Sequence, residues 1–375
     1  MPDESFQVVD QYLESGDRAG SLDYLIGEFR AAKKLGLFFE AKLMKKRLEL
    51  GLPLIQSQSP AGFPPEVRAS YDSGMAEAAR ETGLLALDAG DIVGAWPYFR
   101  AIGEPGPIAE AIEHTQPGES SDHLIEIALR EGVHPLKGLE FILNRNGMCQ
   151  AITAFGMYPI EKDRVGCIGL LISRLHAEVL ERMARVIESQ EGIAPPIDTI
   201  RALAEPRDWL FGEYDYYVDT SHLMSILQYT TEVSDPRTLR LLIDLCDYGK
   251  RLSPTFQSRG QAPFEDTYVD YQEYILAILG DDVEKRLGHF RQKVEDCNPE
   301  EQGTAAAQLF VNLAVRLNRF DEALSVSTEY LANENSFELA CPSTLQLCNL
   351  AKDYTRLKKL ARERGDLLSY VAATP

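Results

Sequence analysis

Apolar residues return along this chain at intervals of three and four. Phe6, Val9, Tyr12 and Leu13 form one such series, Leu22, Leu25, Ile26 and Phe29 a second, and Leu37, Ala41, Met44 and Leu48 a third. Residues so spaced share one face of an α-helix, so the first fifty residues predict three amphipathic helices, separated at Gly16-Asp17 and Gly36. A stretch with four prolines, residues 53–65 (PLIQSQSPAGFPP), then interrupts the pattern as a loop. Helical spacing resumes from Pro65 through Leu87, and Gly90-Asp91 opens a further helix.

The middle of the chain predicts helices at 122–131, 136–145 and 148–155 and a long one over 164–189, with Gly132, Gly147 and Gly192 placed as C-terminal stops. Residues 207–217 crowd aromatics and acids together and fit either a short strand or an irregular wall. Beyond them helices are predicted at 238–250, 268–279, 283–294, 304–317, 322–332 and 343–352, with a last turn near Leu367. One long loop, 253–266, carries Pro254, Gly260 and Pro263; loops of that length within a helical array are often functional. The expected fold class is therefore all-α, built of antiparallel helix pairs.

Two of these stretches resemble tetratricopeptide-type repeats, which pair helices across a tight turn and place a small residue, and four positions later an aromatic, between them. Ala95 and Phe99 occur in that register, with Pro107 beyond, and the run Leu317-Asn318-Arg319-Phe320-Asp321-Glu322-Ala323-Leu324 is similar. Gly280-Asp281-Asp282 leading to Leu287 and Phe290 is a third echo. The turns at Gly16, Gly90, Gly280 and Asn318 keep no strict 34-residue period, Ser327 takes the aromatic slot after Ala323, and Arg286 takes the small slot before Phe290. The resemblance implies a tetratricopeptide-like α-solenoid at both ends with a divergent central portion. This divides the chain into 1–112, 113–235 and 236–375.

Composition narrows the partners. Lys and Arg number 38 against 58 Asp and Glu, a net charge of −20, which repels phosphate backbones and anionic lipid. Nucleic acid and membranes are thus not expected as partners. The basic groups Lys33-Lys34, Lys45-Lys46-Arg47 and Arg356 with Lys358-Lys359 are short and interleaved with apolar residues, as on the wet face of helices. The first residues, Met1-Pro2-Asp3-Glu4-Ser5, show no basic stretch leading into an apolar core, so no signal peptide is expected. Apolar runs fall short of the roughly 20 residues a bilayer requires. Six scattered cysteines without a CxxC pair point to a reducing cytoplasm and free thiols.

The candidate chemistry lies between His114 and His222, which hold five of the six histidines. His123 precedes Glu126 by three residues, and Asp219 precedes His222 by three, a spacing that puts imidazole and carboxylate on one helix face. With His176 and His114 these would form a mixed nitrogen and oxygen site for zinc, iron or manganese, Asp219 acting as fifth ligand or base. The competing reading makes Ser120 or Ser121 and Asp219 ordinary helix caps, places His123 and His222 in first turns, and buries His176 in the core. His134 and His289 read as structural or exposed. No HExxH, GxSxG, GxxxxGK or GxGxxG pattern is present. Two functions follow: a cytoplasmic helical-repeat scaffold or adaptor for a protein or peptide partner, or a metal-dependent hydrolase or oxidoreductase.

Overall fold

A computed structural model describes residues 2–55, 59–196, 198–331, 334 and 339–373. Gln56, Ser57 and Gln58 of the proline-rich loop, and Ala332 at the end of one expected helix, lie outside the described residues. Among the described residues the chain is α-helical throughout, with no strand. It divides into two compact units, Met1–Cys167 and Ile168–Pro375, where the sequence suggests three portions. The boundary falls in the first turns of the long helix Arg164–Glu191.

The first unit runs through helices Pro2–Glu14, Arg18–Ala31, Leu35–Glu49, Pro65–Asp88, Ile92–Ile102 and Gly106–His114, each packed on the next. A short helix, Asp122–Ile125, continues into a π-helical turn, Glu126–Arg130, which packs against Pro135–Met157. That last helix is broken at Gly147 (φ 81°, ψ −177°), where the sequence predicts a stop between two helices.

One turn recurs. A residue with positive φ is followed by a cap residue near φ −90° and ψ 60° to 90°, and the next helix starts at once. It occurs at Gly16-Asp17, Lys33-Lys34 and Gly90-Asp91, and again at Asn318-Arg319, Lys352-Asp353 and Gly365-Asp366. In all six the cap N–H reaches back to a carbonyl five residues earlier, as Asp91 N does to Ala86 O at 2.9 Å and Arg319 N to Ala314 O at 2.8 Å. The carbonyls orphaned at one helix end are thereby satisfied while the next helix begins. Where the cap is aspartate its carboxylate also accepts a backbone N–H three residues on: Asp17 from Gly20, Asp91 from Gly94, Asp353 from Arg356 and Asp366 from Ser369.

Between Pro65–Asp88 and Ile92–Ile102, Phe99 is fully buried beside Ala95. It lies so close to Gly83 that a Cβ there would stand 2.6 Å from the ring. Phe99 also belongs to a core that includes Ile108, Ile112, Ile127 and Phe141, so it ties three later segments to this pair. Pro107 stands in the first turn of the following helix, where its missing N–H costs nothing.

The second unit contains the remainder of Arg164–Glu191 and helices Ile200–Ala204, Thr220–Leu227, Pro236–Arg251, Thr267–Ile278, Val283–Asp296, Ala305–Arg316, Phe320–Tyr330, Thr344–Leu350, Tyr354–Glu363 and Leu367–Ala372. Tyr274, Phe290, Phe310 and Leu347 anchor one continuous core. The two departures from the repeat pattern have local solutions. Ser327 is buried and shares a 2.9 Å hydrogen bond with the Thr344 hydroxyl, while Arg286 forks onto Glu273 at 2.6–2.7 Å and reaches Asp281 at 3.1 Å. Residues 207–217 form no strand: a single 3-10 turn, Asp208–Leu210, leads into an irregular wall. Tyr217 Oη donates to Leu210 O at 2.6 Å, Tyr217 N donates to Tyr248 Oη at 2.8 Å, and Phe211 meets the Tyr217 ring edge-on. No helix among the described residues is long and apolar enough to cross a membrane.

Candidate functional site

Of the six residues expected to hold a metal, His114, Glu126 and Asp219 make local contacts, His123 and His222 sit in first helical turns, and His176 pairs with a distant carboxylate. His114 closes its own helix, its Nδ1 donating to Glu110 O at 2.8 Å. His123 is exposed in the short helix capped by Ser121, and the Glu126 carboxylate accepts from Arg130 at 2.9 Å. Asp219 caps Thr220–Leu227, accepting from Ser221 N at 2.8 Å and Ser221 Oγ at 2.6 Å. Those two bonds hold its carboxyl below the usual range. His222 sits in the first turn that Asp219 caps. Among the described residues no three His, Cys, Asp or Glu side chains gather to hold a metal ion. Neither His114, His123 and Glu126 in the first unit nor His176, Asp219 and His222 in the second form such a group. Ser121 and Asp219 cap the two helix starts in which the three-residue spacings His123 to Glu126 and Asp219 to His222 occur.

His176 has a buried partner that sequence spacing hid. Its Nε2 lies 2.7 Å from Asp244 Oδ2 on helix Pro236–Arg251, with both side chains about nine-tenths buried. Asp244 also accepts the backbone N–H groups of Ile200 at 2.7 Å and Arg201 at 3.0 Å. One carboxylate thus caps Ile200–Ala204 and fixes the long helix to Pro236–Arg251 through His176. This is a brace of three elements.

The better-built candidate lies elsewhere in the second unit, where the loop 253–266 meets the pair Thr267–Ile278 and Val283–Asp296. A cavity of about 320 Å³ opens there, walled by Phe264, Tyr271, Tyr274, Phe290, Leu309 and Met224. Burial pushes the phenols of Tyr271 and Tyr274 above their usual range, so both stay neutral. Thr267, Asp270, Tyr271 and Tyr274 follow one another at helical spacing and so present one face to this space. Asp270 is buried, and its Oδ1 meets His289 Nε2 at 2.8 Å and Lys293 Nζ at 3.1 Å. Its second oxygen, Oδ2, is buried with no hydrogen-bond partner among the described residues, and the same holds for the buried hydroxyl of Thr267.

The loop is held firmly over this end. Lys293 also bonds the Pro263 carbonyl and lies 5.4 Å over the Phe264 ring. Gly260 approaches so closely that a Cβ would stand 2.0 Å from Phe264 O, which leaves room for glycine alone. On the other side Arg316 stacks on Tyr274 at 5.7 Å, donates to its hydroxyl at 3.1 Å and to Thr231 O at 2.7 Å, and also binds Val233 O. It thereby pins the rim that carries Thr231 and Gln228. Neither a family model, nor a curated protein, nor a solved structure matches the chain. The site must be read from its own chemistry.

Sequence reasoning passed over Asp270, Thr267, Lys293 and Arg316, and read His289 as structural or exposed. The only signal for this place was the length of the loop 253–266. In the first unit, a polar groove of about 430 Å³ does include Glu126, but its charged residues are paired, Glu126 with Arg130 and Asp122 with Arg145 at 2.7 Å.

Four of the six cysteines are buried. Burial pushes the thiols of Cys167 and Cys341 up to about 11 and raises those of Cys246 and Cys348. Cys149 is exposed and Cys297 partly so. Titration of native protein with an aromatic disulfide reagent should therefore modify Cys149 rapidly and Cys297 slowly, the other four reacting only in denaturant. Rapid modification of four or more thiols in native protein would contradict this burial.

Proposed function

We propose that the protein is a helical scaffold of tetratricopeptide-like pairs that binds a protein or peptide partner, with the cavity of the second unit as its recognition pocket. The observation that carries this reading is the cavity itself: aromatic walls beneath a loop and a rim fastened by Lys293 and Arg316. Pockets that are mostly apolar with a few placed polar groups are the usual form of a recognition site. The recurrent turn supports the repeat-like architecture, since it joins successive helices in the same way in both units.

The test is selection from a random peptide library displayed on phage against the full chain, with Met224→Trp and Thr231→Trp as blocked controls. Met224 and Thr231 line the cavity and both are at least partly exposed, so an indole can be added there without disturbing the core. Peptides that bind the natural sequence should lose at least about tenfold in affinity on both variants, the effect of losing one well-buried contact. Selected peptides that bind both blocked variants unchanged would move the recognition surface elsewhere. A selection that yields no binder would defeat the reading.

A further inference from the structure

Two exposed apolar faces lie apart from the cavity, and they are edged with opposite charge. The first is on helix Pro2–Glu14, which contains no Lys or Arg. Phe6, Val9 and Leu13 fall on one stripe of this helix, with Phe6 more than two-thirds exposed and Leu13 about half. Asp10 and Glu14, four residues apart and both exposed, run along one edge of the stripe. The other edge packs on Arg18–Ala31, where Tyr12 meets Tyr24 at 6.4 Å between ring centres.

The second face is on helix Leu367–Ala372, where Leu367, Leu368 and Val371 are each more than two-thirds exposed. At about 100° per residue these three share one arc of the helix, and Tyr370 borders it. Lys358 and Arg362 each lie 5.1 Å from the centre of the Tyr370 ring, and Arg362 donates to its hydroxyl at 2.6 Å. Cations therefore edge the arc. Residues 352–366 hold six Lys and Arg against three Asp and Glu, a basic island in a chain of net charge −20. On the far edge Ser369 and Ala372 open onto a groove of about 860 Å³ lined by Pro342, Leu345 and Leu350.

Apolar residues gathered on one exposed face with a charged rim mark an interaction surface. Neither face suits a copy of itself, since two basic edges or two acidic edges would then meet. The two faces suit each other. We propose that copies of this chain associate, the acidic apolar face of Pro2–Glu14 on one molecule seated against the basic apolar face of Leu367–Ala372 on another. Phe6 and Leu13 cover Leu367, Leu368 and Val371, while Asp10 and Glu14 come to Lys358 and Arg362. The contact is heterologous: each molecule in a pair keeps one face free for a further copy. Helices of 13 and six residues bury less than the roughly 1,600 Å² of a standard interface, so the contact is weak and depends on concentration. It uses no residue of the cavity and stands independently of the partner-binding reading.

Sedimentation velocity of the full chain between about 10 and 500 µM should show its mass rising with concentration, as a weak contact requires. Phe6→Asp and Leu368→Asp each alter an exposed side chain, so both variants keep the fold, and each alone should stay monomeric. An equimolar mixture of the two should form a complex of one copy of each and grow no further, because each retains the face that the other has lost. Lys358→Glu should weaken self-association about threefold or more. A natural chain that stays monomeric overturns the inference, and so does a mixture that stays monomeric. Association lost in only one of the two aspartate variants means that a face meets its own kind, which also overturns it. Undiminished association of Lys358→Glu removes the charge pairing on which the choice of occupant rests. Binding to phosphatidylcholine–phosphatidylserine vesicles, lost in Leu368→Asp, by a chain that does not self-associate would give the basic face to anionic lipid instead.

Discussion

Replacing Phe99 with alanine should lower the stability of the protein by about 3–5 kcal/mol, the range for emptying a fully buried aromatic site. The ring is fully buried and belongs to the core with Ile108, Ile112, Ile127 and Phe141. Its neighbour Gly83 offers no side chain that can swing in to refill the space. Domains are stable by only about 5–15 kcal/mol, so this one change removes a large share. Urea unfolding followed by circular dichroism gives the difference, and hydrogen exchange should show the loss first in Pro65–Asp88 and Ile92–Ile102. A cost under about 1 kcal/mol would mean that the pair does not depend on this ring. The reverse change, Gly83→Leu, should also destabilise, by about 1–3 kcal/mol, because the added carbons have nowhere to go.

The second large effect is expected at Asp244. Alanine there strips the acceptor from His176, Ile200 N–H and Arg201 N–H together. Leaving a buried partner uncompensated costs about 3–5 kcal/mol, and no water-exposed position takes its place. The signature that separates this from general loosening is site-specific: the amides of Ile200 and Arg201 should lose protection out of proportion to the rest of the second unit. His176→Gln keeps a neutral donor in the same place and should cost distinctly less. Equal losses for Asp244→Ala and His176→Gln would show that the capped backbone groups contribute little.

The helices were legible because burial of one face imposes a period that survives in a single sequence. Thr267–Ile278 and Val283–Asp296 lie within a residue or two of their expected ends. Turns were legible where chemistry is restrictive, as at Gly16-Asp17, Gly90-Asp91 and Asn318-Arg319, where glycine or asparagine tolerates positive φ. Lys33 and Lys352 adopt the same conformation without any such marker, since helix packing on both sides imposes it. Lys33-Lys34, read as the wet face of a helix, are exposed as expected but form a turn.

The site was harder, for a reason of geometry. Asp270, His289 and Lys293 are each ordinary on an amphipathic helix, and only the pairing of two helices brings them together. His123 and Glu126 stood three apart in sequence, yet His123 is exposed behind the Ser121 cap and Glu126 pairs with Arg130. Spacing within one helix reveals contacts along it. Contacts across helices, which build pockets, leave no mark of that kind.

The turn repeated six times also bears on how the chain acquires its fold. Each such turn closes a loop of very few residues, so the entropy lost in bringing two helices together is small. Successive helices of the first unit pack on their neighbours in sequence, and a chain with such local contacts folds quickly. A helix leaving the ribosome finds its partner already made just ahead of it, so the first unit can assemble pair by pair during synthesis.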